Sequence, residues 1–328
     1  MVQVVRDKDV IWEAIVGRTV AMIGFGSQGA AQAQNLRDSG AMVRVGVREG
    51  KSADAARSLG FAVSGVSEAV QGAEFIVMAL PDVEMGRIYR EAIGGVLSGG
   101  ACLVFSHGFA VHYGLLEPLV NIDVVLAAPM GAGPIVRRRF EEGSGVPGLA
   151  AVAQDATGKA WPRAHAYAAA IGCGRTAILE TTFREETESD LFGEQVVLCG
   201  GLPELIRAAY DTAVAGGISP EIAYIACLHE MKLIADLIFD QGLDGMLDKI
   251  SGTAEWGGFE VGPRVIGADS RAAIWDALRA IQSGEFAKNW SREWDSGGRE
   301  LARRHEKALN HPIHEVGKRV RAVFRGEI

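Results

Sequence analysis

The chain is short of several things that mark whole classes of protein. It has four cysteines in 328 residues, and Cys102, Cys173, Cys199 and Cys227 are far apart, with no CxxC pair among them. That excludes a disulfide framework and a thiolate zinc site, and it predicts reduced core residues in a cytoplasmic protein. No apolar run reaches the roughly 18–20 residues needed to cross a bilayer. The stretch from Met1 to Val10 lacks the apolar core of a secretory signal. Basic surplus is missing too: 33 Lys and Arg stand against 41 Asp and Glu, a net charge of −8. That argues against nucleic acid or an anionic membrane as partner, and Arg137–Arg138–Arg139 is a short basic tract only.

Apolar residues are plentiful, at 48%, enough for a sizeable core and about two domains at this length. Arg18 to Ile23 reads as a strand, and Gly24-Phe25-Gly26-Ser27-Gln28-Gly29 follows at once. A helix-like pattern continues through Ala30, Ala31, Ala33 and Leu36 to Ser39–Gly40, and a second strand runs from Met42 to Val47. Strand, glycine-rich turn, helix and strand within about 30 residues are the dinucleotide-binding pattern. Gly24 allows the tight turn, Gly26 lets backbone approach a pyrophosphate, and Gly29 lets the helix pack on the strand. The helix N-terminus offers amide donors and partial positive charge to the phosphates. An isolated GxGxxG occurs in ordinary loops; the flanking strand and helix give this one its weight.

Further strands are expected over Phe75–Leu80, Ala101–Phe105 and Asp123–Ala128, with helical segments between. That alternation predicts a doubly wound parallel sheet with helices on both faces. Ligands of such sheets bind at the C-terminal strand ends, where His107 and the Pro129–Met130 turn fall. After the second strand the loop reads Arg48-Glu49-Gly50-Lys51-Ser52. Arg48, Lys51 and Ser52 can offer charge and hydrogen bonds to a 2′-phosphate, which favours NADPH. Glu49 is the competing feature, because an acid there would serve a ribose hydroxyl. A plain solvated turn is the other reading.

From about Thr182 the alternation gives way to long helical patterns, so we expect a Rossmann-type domain over 1–181 and a helical domain over 182–328. Asp190 and Glu194 sit at i and i+4 on one helix face. Leu191, Phe192, Val196, Val197 and Leu198 surround them, which predicts a largely buried helix whose acids must be paired, protonated or metal-bound. A second helix is expected from Pro220 to Asp240. Its polar stripe of His229, Lys232, Asp236 and Asp240 faces solvent, and Glu230 lies at the edge of an apolar face with Ala226, Leu233 and Leu237. Inward carboxylates on two helices suit Mg²⁺, which takes oxygen ligands. Ser251 lies in a turn where it can either bind a small substrate or cap a helix. The segment from Trp294 to Gly326 reads as charged helix for packing or a subunit contact.

Taken together these words resemble class I ketol-acid reductoisomerases over nearly the whole chain. The matching stretches are Gly24–Gly29, Asn35–Gly40, His107–Phe109, Gly143–Pro147, Glu180–Phe183, Asp190–Gln195, Cys227–Glu230 and Ile250–Ser251. The resemblance implies an N-terminal Rossmann domain with a knotted all-α C-terminal domain, a homodimer or larger homo-oligomer, NADPH and two Mg²⁺. It implies conversion of an acetohydroxy acid to a dihydroxy acid by alkyl migration and then hydride transfer. It assigns Asp190 to both metals, Glu194 to the first, and Glu230 with position 226 to the second. Ser251 would contact the substrate carboxylate, and His107 would support the catalytic waters beside the cofactor.

Two departures matter. The family has lysine where this chain has Met130 in Ala127-Ala128-Pro129-Met130-Gly131-Ala132-Gly133, and glutamate where it has Ala226. Pro134 replaces a common histidine. Losing one electrostatic contact typically costs about 10²–10³ in rate. Alkyl migration needs dense positive charge and suffers most, whereas hydride transfer needs proximity and a proton donor, for which Glu230 or Asp190 are candidates. The leading expectation is an NADPH-dependent reductase of a C=N or C=O group that has lost the isomerase step, with at most one Mg²⁺, held by Asp190 and Glu194. The alternatives are a working ketol-acid reductoisomerase of branched-chain amino-acid synthesis and an inactive cofactor-binding regulatory subunit.

Overall fold

The computed structural model describes residues 2–327 and divides into two units, Met1–Ser189 and Asp190–Ile328. The division falls eight residues beyond the expected one, inside the helix Phe183–Gly193. No helix among the described residues is long and apolar enough to cross a membrane.

The first unit is built on nine strands: β1 Val4–Val5, β2 Thr19–Ile23, β3 Met42–Gly46, β4 Ala62–Ser64, β5 Phe75–Met78, β6 Cys102–Phe105, β7 Asp123–Pro129, β8 Gly148–Gln154 and β9 Ile178–Glu180. Their order across the sheet is β1-β9-β8-β7-β6-β5-β2-β3-β4. Strands β4-β3-β2-β5-β6-β7 are parallel and doubly wound, as the alternation predicts. The chain leaves β2 towards β3 and β4, then returns to place β5 on the other side of β2, which makes β2–β5 the switch point. Apolar runs explain the central strands: every residue of β5, β6 and β7 is buried, as a sheet covered on both faces requires. The sheet is not wholly parallel. The pairs β7–β8 and β1–β9 are antiparallel; these extra strands are short or alanine-rich and carry little strand signal. Two apolar cores form, one on each face. Ala33, Leu36, Val45, Phe75 and Tyr167 belong to one, and Ile23, Ile76, Met78, Leu103 and Leu126 to the other.

The second unit is all helix among its described residues. Its small core joins Tyr210, Ala223 and Tyr224 to Ile313, Val316 and Val320 of the helix Ile313–Phe324. A Cβ on Gly317 would lie 2.6 Å from the Tyr224 ring, so that position stays glycine to let the two helices meet. The tail expected to serve packing therefore builds the core. The segment expected as one helix from Pro220 to Asp240 is three pieces: Pro220–Tyr224, a π turn Ile225–His229, and Met231–Leu247. A second π turn, Glu194–Leu198, follows Phe183–Gly193. π turns insert a residue and are frequent at functional sites; here they hold Glu194 and position 226.

Burial corrects three expectations. Glu194, Val197 and Leu198 are exposed, so the acid-bearing helix is buried only as far as Leu191. Leu233 is 59% exposed, so the face carrying Ala226 and Glu230 is uncovered within the chain. Cys102 and Cys173 are buried as expected, but Cys199 is exposed and Cys227 only partly covered.

Candidate active site

The glycine turn sits at the switch point, and each glycine has its own reason. Gly24 has φ +96°, and a Cβ there would lie 2.1 Å from the Ala79 carbonyl at the end of β5. Gly29 packs under the turn, where a Cβ would come within 2.8 Å of the Gly24 carbonyl. Gly26 meets nothing within 4 Å, and this open backbone faces the place a pyrophosphate needs. The helix Ser27–Asp38 begins directly after it.

A cavity of about 600 Å³ opens beside this turn. Gly24, Phe25 and Gly26 line it, and so do Arg48, Lys51 and Ser52. Size and lining suit a dinucleotide half. Glu49 also lines it, but both its carboxylate oxygens accept from Arg57, at 2.5 and 2.8 Å. That pair holds the Glu49 carboxyl below its usual range, chiefly through the hydrogen bond. Four expected contacts, Ser27, Gln28, Gly29 and His107, are not among its lining residues. Ser27 begins the helix, Gln28 gives its side-chain amide to the Gly131 carbonyl at 2.7 Å, and His107 lies after β6.

His107 is half-buried and its Nδ1 lies 3.0 Å from Oε1 of Glu186. The other oxygen, Oε2, accepts from the Gly108 amide at 2.8 Å. Glu186 is 1% exposed, so it is a carboxylate spent on fixing one turn and one imidazole. Gly108 has no room for a side chain: a Cβ would lie 2.4 Å from the Thr187 hydroxyl. Glu186 escaped the sequence reading. Its signal was available, because Glu186, Asp190 and Glu194 recur at four-residue spacing along one helical stretch.

One turn beyond Glu186 on the same helix stands Asp190. His107, Glu186 and Asp190 each bring a ligand atom within 4.8 Å of the others. Glu194, one turn further along, is not part of that group among the described residues, and Ala226 carries no ligand atom. Glu194, Glu230 and Ser251 belong to the helical unit, and all three are exposed. Ser251 is the N-cap of Gly252–Val265, its hydroxyl accepting from the Ala254 amide at 3.2 Å, which is the structural alternative raised by its sequence. Met130, at the end of β7, is 40% exposed, and its amide donates to the Pro147 carbonyl at 2.8 Å.

Comparison with known proteins agrees with this geometry. Residues 14–177 match the family model described as acetohydroxy acid isomeroreductase, NADPH-binding domain, and residues 183–325 match that of the ketol-acid reductoisomerase C-terminal domain. The chain is similar to an NADH-preferring ketol-acid reductoisomerase from an uncultured archaeon, at 39% identity and TM-score 0.93, over 97% of this chain and 98% of that one. Two more distant structures share the fold alone. One is a semialdehyde dehydrogenase NAD-binding protein from Cupriavidus necator, with 20% identity, TM-score 0.63, and 81% and 99% of the two chains covered. The other is a pyrroline-5-carboxylate reductase from Coxiella burnetii, with 13% identity, TM-score 0.54, and 84% and 98% covered. With a glycine turn at the switch point, both family models matched and a close structural relative along its whole length, this chain is an NAD(P)-binding oxidoreductase of the ketol-acid reductoisomerase family.

Proposed function

We propose that this enzyme is an NADPH-dependent reductase that has given up alkyl migration and reduces a C=N bond, as in a cyclic imine or iminium, or a simple C=O, in a specialised biosynthetic route. The observation that carries this reading is the place of Met130. It stands at the end of β7, in a turn that Gln28 ties to the nucleotide helix, so the lysine the family keeps there is lost beside the cofactor. Ala226 stands where the family carries a second metal-binding glutamate. Each loss removes a charged group, and a thioether and a methyl suit a less charged substrate whose carbon is already electrophilic.

Asp190 and Glu194 would hold one Mg²⁺, which when bound polarises a substrate oxygen or nitrogen. The remaining groups act on their own account. Glu186 fixes the His107 ring, and Ser251 supplies a hydroxyl for a substrate carboxylate. Glu230 is the carboxyl proton donor when Asp190 holds the metal, and Asp190 is the other candidate when it does not. NADPH is favoured over NADH because Arg48, Lys51 and Ser52 line the cavity while Arg57 occupies Glu49. The similar archaeal enzyme prefers NADH, so this loop is where the two would part. We also propose that the working form is a homodimer or larger homo-oligomer. The helical unit leaves Phe239 at 88%, Leu243 at 68% and Trp256 at 69% exposed, an apolar surface too extensive for an isolated chain.

A second reading, a working ketol-acid reductoisomerase, is favoured by the family match and by retention of Asp190, Glu194, Glu230, Ser251 and His107. Those same retained residues speak against an inactive regulatory subunit. Purified enzyme with Mg²⁺ separates the readings. With NADPH it should reduce a cyclic imine or simple 2-keto acid faster than it turns over acetolactate, and NADH should serve it less well. Rapid conversion of acetolactate to dihydroxyisovalerate would overturn the proposal in favour of the second reading.

A further inference from the structure

A chain of side-chain amides, buried at Gln32 and half-buried at Gln28, links the strand ends, and the reaction chemistry does not use it. Gln32, on the helix Ser27–Asp38, is 1% exposed, and all its hydrogen-bonding capacity is met. Its Nε2 donates to the Ser106 hydroxyl at 2.9 Å and to Oε1 of Gln28 at 3.3 Å. Its Oε1 accepts from the Tyr167 hydroxyl at 2.7 Å and faces the Ser106 hydroxyl at 3.3 Å. Gln28 then donates to the Gly131 carbonyl at 2.7 Å. Ser106 precedes His107, and Gly131 follows Met130.

The polarity of this chain is fixed from both ends. A carbonyl only accepts, so Gln28 must turn its NH₂ to Gly131 and its oxygen to Gln32. Gln32 must therefore turn its NH₂ to Gln28, which leaves its oxygen for Tyr167. Burial pushes the Tyr167 hydroxyl well above its ordinary range, so it keeps its proton and donates. Every amide orientation follows from the next, and a connected network whose central amide is buried and fully paired specifies one arrangement. Gly133 tightens the same junction, since a Cβ there would lie 2.2 Å from the Ser27 carbonyl.

We infer that Gln32 is a positioning residue. Through Ser106 and Gln28 it sets the turns bearing His107 and Met130 against the nucleotide helix, so that cofactor binding and the substrate side of the pocket share one buried link. This rests on reading the strand ends as the reaction site, but not on which bond is reduced. The test therefore uses NADPH alone.

Gln32→Leu keeps the volume and deletes the amide without touching the Met130 turn; Gln28→Leu, at a half-buried position, serves if the first variant does not fold. The enzyme is labelled with [¹³C-methyl]methionine, the Met130 signal is assigned by its loss in Met130→Leu, and NADPH affinity is read by fluorescence titration. The expected result is a displaced or broadened Met130 signal in the cofactor-free variant and an NADPH Kd raised about tenfold. Ile76→Val, a buried change in β5, should lower Tm and move neither. A purely structural role would lower Tm in the same way. The inference is overturned if the Met130 signal stays in place, or if NADPH affinity stays within about twofold of the parent. Failure to find a reducible substrate would leave both readouts unaffected.

Discussion

The two units bury their apolar residues in opposite styles. In the first, both faces of the sheet are covered and residues such as Ile23, Ile76, Leu103 and Leu126 are wholly buried. In the second, one small core around Tyr210, Tyr224 and Val316 must serve a much larger set of helices. Phe239, Trp256, Phe259 and Trp275 lie exposed at 59% or more. Folding free energy comes mainly from apolar area withdrawn from water. The Rossmann unit has its own supply and is self-sufficient in that sense, whereas the helical unit leaves much of its apolar surface exposed within this chain. The candidate site residues are divided in the same way: the glycine turn, the Arg48–Ser52 loop and His107 belong to the first unit, and Glu194, Glu230 and Ser251 to the second.

The largest effect should come from striking the uncovered surface. Trp256 and Phe259 are three residues apart on the helix Gly252–Val265, at 69% and 59% exposure. If a second copy covers them, four aromatic side chains leave water per dimer. At about 2 kcal/mol each they supply about 8 kcal/mol, which is about six decades in Kd. Trp256→Asp with Phe259→Asp should convert the protein to monomer in sedimentation and lower the melting of its helical circular dichroism. NADPH binding by the Rossmann unit should persist. A variant that keeps the parent's mass and melting profile would mean the two units are not as unlike as their burial indicates.

What the sequence made legible follows the same divide. The central strands, the glycine turn and the strand-end residues were readable because each announces itself locally, by apolar runs or by a turn only glycine can make. The antiparallel strands β8 and β1 were not, since three of the seven residues of Gly148–Gln154 are alanine and Val4–Val5 is two residues long. Glu186 was missed because its role depends on a partner 79 positions away. The exposure of Glu194 and Leu233 was missed for a different reason. An apolar pattern says that a face will be covered, not whether the same chain covers it. Met130 and Ala226 could be recognised as departures only against the family pattern.

A contrast inside the glycine turn gives the next effect in size and tests the self-sufficient unit. Gly24→Ala forces a Cβ against the Ala79 carbonyl at φ +96°, and should cost about 2–3 kcal/mol of stability together with cofactor binding. Gly26→Ala adds a methyl to open space. It should leave Tm close to the parent and weaken only NADPH. Calorimetry and a cofactor titration on the two variants check both expectations. Equal destabilisation would remove the distinction drawn between a turn glycine and a phosphate-facing one.

The smallest effect concerns acid, and it should be seen in the Rossmann unit. His165 and His112 both have pKa values held below the ordinary 6.5, first by burial, with Glu180 and Glu188 respectively pulling the other way. A depressed folded pKa means the unfolded chain binds more protons in the window between the two values, so stability rises with pH there. The contribution is present above about pH 6.5 and is lost as pH falls through the folded values. The His165 Nε2 lies 3.1 Å from the Glu180 carboxylate, so the two are tested together with His112 as the comparison. Calorimetric scans between pH 7.5 and 5.5 should show Tm falling with acid in the parent. The fall should be shallower in His165→Gln, which removes that imidazole. A slope unchanged in His165→Gln and in His112→Asn would place the acid sensitivity elsewhere, and would leave burial of these two rings as packing without a titration behind it.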